Sequence, residues 1–366
     1  MSRGDVLKGE FTAAYDDAAS RRAPVASDDD DRSAKTAAMI HRCLMQKMGY
    51  ADEQLDFLGD AARFMQGVGN VHPTAAIRDG ESVLDLGSGY GCDALLAARA
   101  AGVAGRVTGV DLSSGEVEAA RELAASRGLG EERVRFVVGD VERLPIADAS
   151  VDVVVSNGAF CLVPDKPRAF AEVARVLKPG GRMAVACTTL RVDALDPNVK
   201  WPTCMEVFVP TSRCAGILAA AGLSEDIVVD ATSNSAMAVE VGEDDLAALL
   251  EATTEGGCTH ARRAARRRLE EANERVSARQ RDRVGVHWGD PQYAHLQQHD
   301  MDALCARTII SARKPRAALA ASPLEPRGVS STTAGTAAVL AVAVATSALS
   351  LASRGRVPRA FGKMLW

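Results

Sequence analysis

Three aspartates stand at matching places in three successive segments: Asp85 in "VLDLGSGYG", Asp111 in "GVDLS" and Asp140 in "VVGDVERLP". Each closes a short apolar run, which puts a carboxylate at the end of a strand. Taken singly, each reads equally well as a helix cap or a turn residue. In register they would line one crevice, because open α/β sheets bind ligands outside the carboxyl ends of their strands. Gly87, Gly89 and Gly91 follow the first aspartate at alternate positions, letting the backbone approach a ligand beside a helix N-terminus. The dinucleotide fingerprint G-x-G-x-x-G would want a further glycine where Cys92 stands. A carboxylate at Asp85 would repel a pyrophosphate but attract an ammonium or sulfonium group. S-adenosylmethionine (SAM) carries both charges. Asp111 then suits the ribose hydroxyls and Asp140 the adenine amino group. The expected cofactor contacts are Asp85, Gly87, Ser88, Gly89, Gly91, Asp111, Leu112, Asp140, Val141 and Asn157.

The elements that must hold these residues follow from the apolar pattern. "SVLDLGS", "RVTGVDLS", "VRFVVGD", "VDVVVSN" and "GGRMAVACTTL" read as strands, separated by helical stretches such as "GCDALLAARAA" and "PRAFAEVARVL". Nearly continuous apolar strands alternating with helices imply an α/β fold, a Rossmann-like, doubly wound, mostly parallel seven-stranded sheet. "DIVVDAT" and "ARTIISARKP" supply the last two strands, with an insertion at about 233–300 before the final one.

The expected organisation is a mobile segment over 1–36, a helical arm over 37–64, a catalytic domain over 65–315, and a linker and apolar tail over 316–366. The acidic run "ASDDDDR" and weak periodicity carry the first of these expectations. The uncharged run 334–352 is long enough to span a bilayer but is dominated by Ala, Ser, Thr and Gly, so a membrane tether and an Ala-rich tail both remain open. In the insertion, "THARRAARRRLEEANERVSARQRDR" interleaves opposite charges at helical spacing, the pattern of a solvated helix with i,i+4 pairs. A net charge of −5 argues against a nucleic-acid partner. The eight cysteines form no CxxC pair and no zinc spacing, so no bound metal is expected. Reduced, buried thiols fit a cytoplasmic compartment, with membrane association only through the tail.

Together, "LDLGSGYG", "GVDLS", "GDVERLP" and "RVLKPGG" resemble a class I SAM-dependent methyltransferase over roughly residues 65–195. The resemblance implies a final strand that returns antiparallel at the sheet edge. "SNGAFCLVPDK", "GVGNVHPTAAIRDGESVLDLGSG" and "KWPTCMEVFVP" are similar to segments of the arsenite methyltransferase branch. That branch implies a metalloid substrate held by cysteine thiolates, an arsenic lone pair that attacks the SAM methyl, and a thiol reductant. The chain departs from the branch at Gly158, where a cysteine is typical after Ser-Asn, and in the placement of Cys92 and Cys161; Cys204 sits at a family-like position. Cys204, Cys161 and Cys92 are therefore the expected substrate thiolates, since soft thiolates suit a soft metalloid. Each thiol also reads as core or pocket lining.

Two other readings stay open. In the first, the chain methylates a small organic acceptor at O, N, S or C, with His72, Glu206 and His287 as candidate bases. The histidines of "VHWGDPQYAHLQQHD" make a metal site conceivable there, against the plainer reading of a polar loop. In the second, the chain is a SAM-binding, tethered protein without turnover.

Overall fold

Alternate residues of each central strand face opposite sides of the sheet, and both sides are buried. Val83, Val153 and Val155 point one way, while Leu84, Leu86 and Val154 point the other. Each face must therefore be covered by helices, as the sequence pattern requires. The computed structural model describes residues 2–20, 31–65, 67–233, 243–253, 265–274 and 291–316.

The strands are β1 (Ser82–Leu86), β2 (Arg106–Asp111), β3 (Val134–Val138), β4 (Val151–Asn157), β5 (Leu177–Leu190), β6 (Glu225–Ser233) and β7 (Cys305–Arg313). They form one seven-stranded sheet in the order β3-β2-β1-β4-β5-β7-β6. β1 to β5 pair in parallel, and β7 runs antiparallel to both β5 and β6. The expected antiparallel return is present, but its place is corrected. β7 lies inside the sheet, between β5 and β6, and β6 forms the edge. β7 is paired on both sides, with β5 and with β6, and its Ala306, Ile310 and Ala312 are covered.

From β1 the chain steps outward through β2 to β3, then returns to β4 on the other side of β1. That reversal opens a crevice at the carboxyl ends of β1 and β4. On one face, helices α7 (Lys166–Val176) and α9 (Thr211–Ala220) bury Phe170, Val173 and Leu218 against the sheet. On the other, α5 (Cys92–Ala100) and α6 (Ser114–Ser126) pack with an arm made of α2 (Asp31–Lys47), α3 (Asp52–Leu58) and a 3₁₀ helix (Gly59–Phe64). Ile40, Leu44, Leu55 and Leu58 of the arm are essentially inaccessible.

Residues 3–20, expected to belong to a mobile segment, form helix α1 (Arg3–Ser20). Leu7, Phe11 and Tyr15 recur every four residues along it, and Leu7 and Phe11 are set against the protein interior. The insertion contributes α10 (Glu243–Thr253) and α11 (265–274). The anticipated i,i+4 pairs are there, Arg266 with Glu270 and Arg267 with Glu271. The helix is not solvated all round, because Leu269 and Ala272 join the core beneath the arm.

Among the described residues no helix is long and apolar enough to cross a membrane. The run 334–352, Cys258, His287 and Asp290 lie outside the described residues.

Candidate cofactor and acceptor site

The glycine turn between β1 and α5 is forced by its backbone. Gly87, Gly89 and Gly91 have φ values of +67°, +50° and +81°. A Cβ at Gly87 would lie 2.1 Å from the Cβ of Ala159, and one at Gly91 would strike Phe136. The chain thus leaves β1 and starts α5 within a few residues, with the Gly87 and Ser88 amides donating to the Val110 carbonyl and the Gly91 amide to the Ser88 carbonyl.

Two buried polar atoms around this turn have no partner among the described residues: Oδ2 of Asp85 and Oγ of Ser88. The amide of Ala94 donates to the Asp85 carboxylate, but burial, with the charges of Asp93 and Asp111 behind it, holds its pKa well above the usual carboxylate range. An unsatisfied buried carboxyl is costly unless a cation or donor reaches it. A group bearing an ammonium or sulfonium fits that demand, and a pyrophosphate does not.

Asp111 ends β2 and lies beside the turn. Its Oδ2 accepts the Gly89 amide at 2.9 Å and its Oδ1 the Ser113 amide at 2.9 Å. Burial raises its pKa, against amides of Ser113, Gly89 and Leu112 that favour the charged form. The contribution of Leu112 is therefore its backbone. Asp140, beyond β3, accepts the Glu142 amide at 2.9 Å and the Lys8 ammonium at 2.7 Å. Each carboxylate keeps lone pairs for further donors. Val141 turns its side chain into the core. The residues present fit SAM: Asp85 for the cation, Asp111 for the ribose and Asp140 for the adenine amine.

Asn157, at the end of β4, is bonded within the protein through both ends of its amide. Its Oδ1 accepts the Val68 amide at 2.8 Å, while Nδ2 donates to the Tyr50 hydroxyl at 2.9 Å and to Asp93 at 3.1 Å. Tyr50 donates in turn to Asp93 at 2.8 Å, and His72 Nε2 lies 2.9 Å from the same carboxylate. Tyr50, His72, Asp93 and Asn157 make a buried polar network beside the glycine turn. The sequence signals Asn157 and His72 but not Asp93 or Tyr50, which sit among ordinary helix and loop residues.

The expected thiols do not converge as a trio. Cys92, in the first turn of α5, points toward the arm and donates to the Ala61 carbonyl at 3.3 Å. Cys161 and Cys204 both belong to the opposite core cluster. Cys161 lies in the loop after β4, its thiol 2.7 Å from the Gly158 carbonyl. Cys204 lies on α8 (Thr203–Glu206), after β5. Burial pushes both thiols above their ordinary pKa. Among the described residues no three His, Cys, Asp or Glu side chains are grouped to hold a metal ion. His295 meets the Lys200 carbonyl at 2.9 Å, His299 packs against Trp201, and Asp300 caps helix α12 (Met301–Leu304). Glu206 pairs with Arg3 of α1.

Helix α1 spans both halves of this crevice. Lys8 bonds Asp140 and Glu142, and Asp16 accepts from the Ser113 hydroxyl at 2.6 Å and the Gly115 amide at 3.2 Å. Tyr15 lies within electrostatic reach of Glu116 and Asp111 on one side and of Cys161 and Cys204 on the other, and burial drives its phenol pKa upward. The four-residue recurrence of Leu7, Phe11 and Tyr15 is the signal in the sequence that could have found this helix.

Residues 84–185 match a family described as a methyltransferase domain. The arsenite methyltransferase of Halobacterium salinarum is 43% identical over 141 residues, covering 38% of this chain and 36% of that one. The human arsenite methyltransferase is 40% identical over 108 residues, covering 28% of this chain and 29% of its own. The 27-O-demethylrifamycin SV methyltransferase of Amycolatopsis mediterranei is 36% identical over 138 residues, covering 37% and 48%. The chain thus matches little more than a third of the length of the first of these relatives. Among solved structures, an arsenic(III) S-adenosylmethionine methyltransferase from Chlamydomonas reinhardtii superposes with a TM-score of 0.43 at 23% identity, covering 76% of this chain and 73% of that one.

Proposed function

We propose that this chain, which carries a class I SAM-dependent methyltransferase domain near the arsenite methyltransferase branch, transfers the methyl group of SAM to an acceptor held between Cys161 and Cys204. The observation that carries the cofactor half is the orphaned, buried Oδ2 of Asp85 at the head of the glycine turn. SAM supplies an electrophilic methyl on a sulfonium. The chain's own part is to bind, orient and exclude water. Asp85 meets the cation, the Asp111 carboxylate takes the ribose hydroxyls, and Asp140 takes the adenine amine. Helix α1 covers the crevice from Asp140 to Glu206.

For the acceptor, the reading best supported is trivalent arsenic on the Cys161 and Cys204 thiols, with excess thiol as reductant. The burial of both thiols in one core cluster and the likeness to arsenite methyltransferases support it. Each S–H exchanges with an As–OH to give S–As and water. The buried thiols therefore need not stand as thiolates beforehand, despite their raised pKa. A second reading, an organic hydroxyl acceptor, is supported by a different observation. Cys92 stands apart, and the Asp93 carboxylate orients the His72 ring through Nε2 at 2.9 Å, which leaves Nδ1 as the candidate base. The test is methyl transfer by the full chain with SAM, arsenite and excess glutathione, read as methylated arsenicals by mass spectrometry. Product that disappears in Cys204→Ser supports arsenite. SAM binding without arsenical product, together with methylation of a hydroxyl acceptor that fails in His72→Ala, supports the second reading.

A further inference from the structure

Lys166 is placed against the ordinary rules. In "VPDKPRAF" it opens α7, where Asp165 caps the helix by accepting the Arg168 amide at 3.0 Å. A cation in a first helical turn faces the positive end of the helix dipole, and a buried ammonium forfeits its hydration. Yet Lys166 is only 5% exposed. Its surroundings are Phe160, Phe170, Cys187, Cys214 and Ile310. Burial lowers its pKa to about 8.

The compensation comes from neutral carbonyls. Nζ donates to Val163 O at 2.9 Å, to Cys161 O at 3.4 Å and to Val207 O. Those three acceptors use all three ammonium protons. Two of them belong to the loop that carries Cys161. The third closes α8, which carries Cys204, and so comes from a different crossover of the sheet. An apolar residue here would leave three buried carbonyls facing nothing.

We infer that Lys166 is a positioning residue, a buried cationic stitch that fixes the loop bearing Cys161 against the helix bearing Cys204 and so sets the spacing of the acceptor thiols. The inference rests on the reading of those two thiols as acceptor ligands, but the stitch can be measured without any acceptor. Glu142 extends it, since its carboxylate accepts the Asp165 amide at 2.9 Å while also holding Lys8 of α1.

The test is hydrogen exchange by mass spectrometry on the full chain, comparing wild type, Lys166→Met and Lys166→Arg. Exchange over 158–165 and 203–209 is expected to quicken at least about tenfold in Lys166→Met. Exchange over 85–92 and SAM affinity should stay within about twofold, and Lys166→Arg, which retains the donors, should recover most of the effect. Phenylarsine oxide, which bridges two thiols, should bind about tenfold more weakly to Lys166→Met. Unchanged exchange in both segments, or an equal rise across the whole domain, overturns the stitch. If wild type takes up no phenylarsine oxide while the exchange contrast holds, the stitch stands and the arsenical reading falls. If Lys166→Met does not fold, Lys166→Gln is read by the same criteria.

Discussion

The two halves of the crevice are built by different means. The cofactor half is made of backbone: three strand ends, three positive-φ glycines and a helix N-terminus, with Asp85 and Ser88 left wanting partners. The proposed acceptor half is made of side chains brought from separate segments, Cys161 after β4, Cys204 after β5 and Tyr15 from α1, and Lys166 ties the first two segments together. A backbone-built half tolerates little change in shape but accepts one ligand geometry readily. A side-chain-built half can be retuned by a few substitutions, which is how one fold serves several acceptors. Substitutions in the first half should therefore act on SAM binding and those in the second on the acceptor.

The largest separation of the halves is expected from Cys204→Ser. Arsenite methylation should fall by at least about a hundredfold, while SAM affinity by calorimetry changes less than about twofold. A parallel loss of both would break the division. Asp85→Asn should do the opposite, weakening SAM by about 2–5 kcal/mol through loss of a buried charge partner.

The same substitution has a stability signature. The folded-state pKa of Asp85 is raised, so its carboxyl opposes folding increasingly as pH climbs above the unfolded value. Ligand-free Asp85→Asn should therefore melt higher than wild type at pH 8, with the gap narrowing toward pH 4, as followed by circular dichroism. Asp111→Ala should weaken SAM by about 1–3 kcal/mol, since ribose hydroxyls and the Gly89 amide lose their acceptor. The smallest effect is expected at Lys8→Ala, about 1 kcal/mol in SAM affinity, because its ion pairs with Asp140 and Glu142 tie α1 across both halves.

This contrast also explains what the chain revealed before its structure. Asp85, Asp111 and Asp140 lie at or just beyond the carboxyl ends of three neighbouring strands, each two residues further along than the last, and local pattern suffices to place them at that edge but not to give the offset. Apolar periodicity likewise carries the parallel sheet. The place of β7 was not legible, because the alternation of covered and partly covered residues along a strand reports its two faces and not its neighbours in the sheet. Cys92 misled by proximity: it adjoins the glycine turn in sequence, but the first turn of α5 aims it at Ala61. Cys161 and Cys204 fall in the same core cluster from separate crossovers, and no local pattern could have placed them there together. Lys166 was passed over because a lysine in "PDKP" reads as a solvated helix start. Helix α1 was passed over because one apolar residue in four is a thin stripe.

The most direct test of the account is a calorimetric titration of SAM into the full chain at several pH values, in buffers of different ionisation enthalpy. Burial raises the Asp85 pKa, so its carboxyl holds a proton more readily without ligand than with a cation beside it. Binding should then release a proton, and affinity should fall as pH drops. Asp85→Asn should lose that dependence. SAM affinity that is the same in wild type and Asp85→Asn, with no difference in proton release, would contradict the central assignment.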